Sequence, residues 1–82
     1  MSSTEMRATR VGRWRDWVTE NDELIETLQD EIDECEELER SARTEDFAER
    51  VRSWIESKAQ KIANLERRNE ELETKIAQVE HY

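Results

Sequence analysis

The sequence predicts an all-α fold. It holds 82 residues with no proline and one glycine, 43% of its side chains are charged, and its apolar residues recur at intervals of three and four. Turn punctuation is almost absent, and an apolar share of 34% is too small for a large enclosed core. Such a chain buries surface through narrow apolar stripes on long helices and by sharing surface with a second copy. The expected architecture is two helices with a bend near residues 41–44. The second helix is expected to form a parallel two-stranded, leucine-zipper-like coiled coil in a homodimer.

Several classes are excluded at once. Apolar residues never run beyond two or three in succession, far short of a membrane span or a signal-peptide core. An intracellular, cytoplasmic location is therefore expected. One cysteine, Cys35, cannot form an intrachain disulfide, and one histidine, His81, cannot build a metal site, so no metal or other cofactor is expected.

The net charge of -9 divides into three unlike parts. Residues 1–19 carry four arginines against two acids, residues 20–39 carry eleven acids and no base, and residues 40–82 carry nine of each. Residues 1–12 are accordingly expected to be a flexible basic arm. Gly12 would interrupt a helix there, and residues 13–40 form an acidic amphipathic helix. Its apolar stripe runs through Trp14, Trp17, Val18, Leu24, Ile25, Leu28, Ile32, Cys35, Leu38 and Ala42. Cys35 lies on that stripe, where a small buried hydrophobe is the expected role.

Residues 41–44 are a turn or bend, because the seam of the first helix, continued through Glu39 and Ala42, falls out of register with the next one. Thr44 is a good helix cap, and Glu45 and Asp46 suit the positive end of a helix dipole. Residues 45–80 are then the dimerisation helix. Placing a at Ala48, Ile55, Ile62, Asn69 and Ile76 puts Val51, Lys58, Leu65, Leu72 and Val79 at d. Branched residues at a with leucine at d favour two parallel strands.

Within this scheme Asn69 is a lone amide at a, expected to face its own copy and fix the register. Lys61, Arg68 and Lys75 fall at g, while Glu66, Glu73 and Glu80 fall at e. In a parallel homodimer these form the attractive interchain pairs Lys61 with Glu66, Arg68 with Glu73 and Lys75 with Glu80. Each exposed pair contributes only about 0.2–1 kcal/mol, so the charges select orientation while the seam supplies stability. Trp54 at g, Ala59 at e and Phe47 widen the apolar surface at the start of this helix, where the first helix is expected to fold back; an antiparallel hairpin whose helices trade seams in a four-helix dimer is the structural alternative.

The stretch KIANLERRNEELETKIAQVE, residues 61–80, resembles the zipper of the basic-leucine-zipper transcription factors in its Leu, Asn, Leu order at d, a and d. The resemblance covers about a quarter of the chain and implies dimerisation in the zipper manner. It does not extend to DNA recognition, because the preceding residues contain Glu49, Trp54 and Glu56 in place of a basic helix.

No nucleophile with a base, no glycine-rich phosphate loop and no histidine partner accompanies the helical carboxylates, so an enzyme is not expected. Arg13, Trp14, Arg15 and Trp17 form the candidate partner-binding cluster, since Trp and Arg are enriched where proteins bind one another. The expected function is that of a scaffold or adaptor. It dimerises with itself and meets another protein, of basic or apolar surface, through the acidic helix and the tryptophan-containing arm. The alternative is an acidic mimic of nucleic acid that inhibits a basic protein; a dimeric nucleic-acid binder using the Arg/Trp arm ranks below it. No membrane or small-molecule substrate is expected.

Overall fold

The computed structural model describes the backbone of residues 3–81 and the side chains of residues 9–81. Helix α1 spans Ser3–Arg40 and helix α2 spans Glu45–Glu80. Four residues join them, and the two helices lie antiparallel as a rod 63 × 16 × 14 Å. Contacts along the rod establish the direction. Glu39 meets Arg52 near the turn, Glu31 meets Lys58 further along, Asn21 meets Asn69 beyond that, and Arg15 meets Glu80 toward the open end.

The turn is made by polar side chains in place of glycine. As α1 runs out, the Ser41 amide donates to the Glu37 carbonyl at 3.1 Å, and its hydroxyl donates to the carbonyls of Glu37 and Leu38. These bonds satisfy carbonyls that a helix end otherwise leaves open. Thr44 then takes an extended conformation (φ -129°, ψ 149°), and its Oγ1 accepts from the Phe47 amide at 3.2 Å. This is an N-cap, with Glu45 and Asp46 in the first turn where the dipole favours negative charge.

Helix α1 begins at Ser3, whereas the sequence pattern suggests a start at residue 13 after a flexible arm. A glycine inside a helix costs only about 1 kcal/mol relative to alanine, too little to break a helix held by tertiary contacts on both sides. Val11 and Trp14 supply those contacts, both half-buried, and Gly12 has no positive φ. The side chains of the arm's first residues, Arg7 among them, lie outside the described residues.

Sheltered positions are Val11, Trp14, Val18, Asn21, Ile25, Leu28, Ile32, Cys35 and Glu39 on α1 and Ala42 just beyond it, together with Glu31 beside Ile32. Apart from Glu31 they step by three and four without interruption, so α1 carries a complete heptad seam of its own. On α2 the sheltered residues are Ala48, Val51, Ile55, Lys58, Ile62, Leu65, Asn69, Leu72, Ile76 and Val79. These are the a and d positions of the zipper pattern. Their neighbour in this structure is α1 of the same chain. The Asn21–Asn69 bond sets Ile25 level with Leu65 and Leu28 level with Ile62, so an a residue of one helix meets a d residue of the other.

Asn69, 7% exposed, is the one buried polar side chain among the described residues. Its carbonyl oxygen accepts from Asn21 Nδ2 at 2.9 Å, and its own Nδ2 donates to Asp22 Oδ1 at 2.9 Å. The amide thus uses both of its ends on α1, where the sequence pattern assigns it to a second copy. A shift of one seam position would set it against hydrocarbon, at a cost of about 1–3 kcal/mol. Asn69→Ala should therefore lower the unfolding free energy by about 1–2 kcal/mol in urea titration. The double variant Asn21→Leu/Asn69→Leu should instead raise stability while broadening the amide NMR spectrum, because the register lock has gone.

Candidate interaction surface

The hairpin seam has two flanks, and their chemistry differs. One is formed by the e positions, one residue after d: Arg15, Asp22, Gln29 and Glu36 on α1, with Arg52, Ala59, Glu66, Glu73 and Glu80 on α2. Apart from Ala59, this side is polar. Arg15 forms an ion pair with Glu80 across it. Arg52 bridges the connection, its Nε donating to Glu39 at 2.7 Å and its terminal nitrogen to Glu45 at 3.0 Å. The hydrogen bond to Glu39, reinforced by Glu45, holds the Arg52 guanidinium above its ordinary pKa.

The other flank is formed by the g positions, one residue before a. Here α1 presents Trp17, Leu24, Glu31 and Leu38, and α2 presents Phe47, Trp54, Lys61, Arg68 and Lys75. Trp17, Leu24, Leu38 and Trp54 are 44–52% exposed, and Phe47 is 37% exposed. Phe47 and Trp54 make an edge-to-face contact with ring centroids 6.3 Å apart. Toward the open end, Trp17, Arg68 and Lys75 line one shallow groove with Asn21, Glu71 and Leu72. Five large apolar side chains therefore mark a single side of the rod, interleaved with three cations of α2.

This arrangement redistributes the residues singled out from sequence. Trp14 faces α2 as a seam residue, Trp17 sits on the apolar flank, Arg15 is held by Glu80 on the opposite flank, and Arg13 is exposed toward solvent. They do not form one patch. Lys61, Arg68 and Lys75 lie on the flank opposite Glu66, Glu73 and Glu80, so the pairs expected between two parallel chains are not made within the hairpin. Ala59 and Trp54 likewise lie on opposite flanks. The first helix folds onto the seam between them and leaves both exposed.

The apolar stripe read from sequence lacks Asn21 and Val11. Steps of four and three back from Ile25 reach Asn21, Val18, Trp14 and Val11, so the spacing carries the signal. Trp17, Leu24 and Leu38 mask it, being apolar but belonging to the flank.

The outward face of α1 is acidic. Asp16, Glu23, Asp30 and Glu37 repeat every seven residues at f, furthest from α2, and all are exposed. Only Glu31 and Glu39 among the acids of residues 20–39 are half-buried, each bonded to a base of α2.

Among the described residues, no group of three or more His, Cys, Asp or Glu side chains is placed to hold a metal ion, and no helix is long and apolar enough to cross a membrane. Cys35 is a buried free thiol on the α1 seam. Comparison of the chain with protein-family models, curated proteins and solved structures finds no match.

Lys58 is the weak layer of the seam. Its ammonium donates to Glu31 Oε2 at 2.8 Å while its stem covers apolar surface. The Glu31 hydrogen bond, opposed by desolvation, raises its pKa above the ordinary lysine value. A cation whose pKa rises on folding contributes stability that is full below the unfolded value, about 10.4, and is lost as pH climbs through the folded one. Lys58→Met should raise the melting temperature at neutral pH by adding apolar burial. It should also remove part of the alkaline decline in melting temperature expected of the parent above pH 10, both read by circular dichroism.

Proposed function

We propose that this chain is a non-enzymatic helical assembly module, a scaffold or adaptor that works by presenting surfaces. The observation that carries this reading is the set of large apolar side chains left exposed along one flank of a seam that is already closed. Large apolar side chains gathered on one exposed face of a small fold mark an interaction site. The grooves described along the rod are open, and its strongest features are surfaces of distinct chemistry.

For a partner other than itself, the outward acids of α1 are the matching feature. Glu23, Asp30 and Glu37 stand clear of α2; Glu37 is paired with Arg40 at 2.7 Å, and residues 20–39 themselves contain no base. A basic protein surface suits them, attracted at long range and bound less tightly as salt rises. Continuous carboxylates on a straight helix also support the second reading, an acidic mimic that occupies a nucleic-acid groove.

Immobilised full-length chain should retain basic proteins from a cell extract, and Glu23→Lys/Asp30→Lys/Glu37→Lys should lose them while keeping its helical signal. Retention unaffected by the triple substitution would contradict the proposal. Release of the same proteins by duplex DNA would select the mimic, and indifference to DNA would select the adaptor.

A further inference from the structure

The apolar flank has the composition of a self-complementary interface. Its α1 edge carries Trp17, Leu24 and Leu38 with acids beside them: Glu31 at g, and Glu20 and Glu34 at the adjoining c positions. Its α2 edge carries Phe47 and Trp54 with Lys61, Arg68 and Lys75. Between residues 17 and 38 the α1 edge is apolar and acidic, with Arg10 and Arg13 beyond it toward the open end; the α2 edge is apolar and mainly basic, with Arg50 and Glu71 at its adjoining c positions. The opposite flank holds no large apolar side chain, so it does not compete.

Two-fold pairing of such a face has two solutions. With the axis across the rod, α1 meets α1 and α2 meets α2, setting acid against acid and Lys61, Arg68 and Lys75 against their own kind. With the axis along the rod, the turns of both copies lie at the same end and each α1 meets the partner's α2. The second solution sets Glu31 near the level of the other copy's Lys61, Leu24 near its Arg68 and Leu38 near its Trp54. The second solution removes the cation-on-cation contacts and brings an acid, Glu31, near Lys61, while Arg68 and Lys75 face Leu24 and Trp17.

We infer that two hairpins associate through this flank, turn beside turn, into an antiparallel four-helix bundle in which each α1 docks on the α2 of the other copy. The rod's length and width, 63 by 14 Å, offer on the order of 800 Å² per copy, the size of a standard stable interface. The apolar residues at the turn end, Leu38, Phe47 and Trp54, form the centre of contact there. Charges further along select the orientation, since like charges placed opposite one another disfavour the alternative. This surface is separate from the outward acids of α1, so oligomeric state and partner capture report on different faces.

Light scattering of the full chain at tens of micromolar should give twice the 9.9 kDa chain mass. In a Cys35→Ala background, spin labels attached through Ser41→Cys mark the turn. Pulsed electron resonance should place the two labels within about 20–30 Å, two helix spacings plus the label arms. Lys61→Glu/Arg68→Glu/Lys75→Glu should give a helical monomer, and Trp54→Glu should weaken the dimer by at least tenfold. Mixing the triple variant with Glu20→Lys/Glu34→Lys should restore dimers. A monomeric parent, a larger oligomer, or labels separated by roughly the 63 Å rod length would overturn the inference.

Discussion

The hydrogen-bonded layer of Asn69, Asn21 and Asp22 is the constraint on which the rest of this structure depends. Elsewhere the seam is mostly aliphatic, with Trp14, Cys35, Glu39 and Lys58 the other exceptions, and aliphatic side chains tolerate sliding. A buried amide does not, because its donor and acceptor ends must both find partners. By meeting Asn21 with its oxygen and Asp22 with its nitrogen, Asn69 sets the alignment of α2 on α1. That alignment places Ile25 by Leu65, brings Glu31 to Lys58 and leaves Trp17, Leu24 and Leu38 outside the seam. The surface chemistry of the rod is thus a consequence of one polar layer.

Folding strength comes from a thin core. Val51 is fully buried, and Ala48, Ile32 and Cys35 are nearly so, while most other seam residues remain half-exposed. Two helices alone can shelter a seam from two sides but cannot enclose it, which is why small helical scaffolds draw on further copies or partners. The exposed aromatic and leucine side chains follow from the same geometry: they stand where a third and fourth helix would lie in a bundle. Electrostatics then restricts what can lie there. The eleven acids of residues 20–39 make α1 a poor neighbour for its own kind and a good one for α2, which carries every lysine in the chain.

Much of the fold is legible in the sequence. The absence of proline, the three-and-four spacing and the capping chemistry of Thr44 mark two helices and the break between them, and every a and d position assigned to α2 is sheltered. The occupant of that seam is less legible. An a-position asparagine with oppositely charged g and e residues satisfies a parallel pair of copies, and it also satisfies a second helix that brings its own amide. A connection of only four residues decides the matter, since it keeps α1 at a far higher effective concentration than any other chain can reach. Short links make antiparallel neighbours. The tryptophan cluster was obscured for a related reason: Trp14 and Trp17 are near in sequence, but a three-residue step is enough to put one in the seam and the other on its flank.

Disulfide trapping tests the central claim most directly. In a Cys35→Ala background, Ile25→Cys/Leu65→Cys should oxidise within one chain, giving a monomer of faster migration that retains full helicity, while Leu65→Cys alone should stay reduced under the same mild conditions. Ready formation of a Leu65→Cys linked dimer, with no intrachain bond in the double variant, would show that α2 pairs with another α2 and would contradict the hairpin.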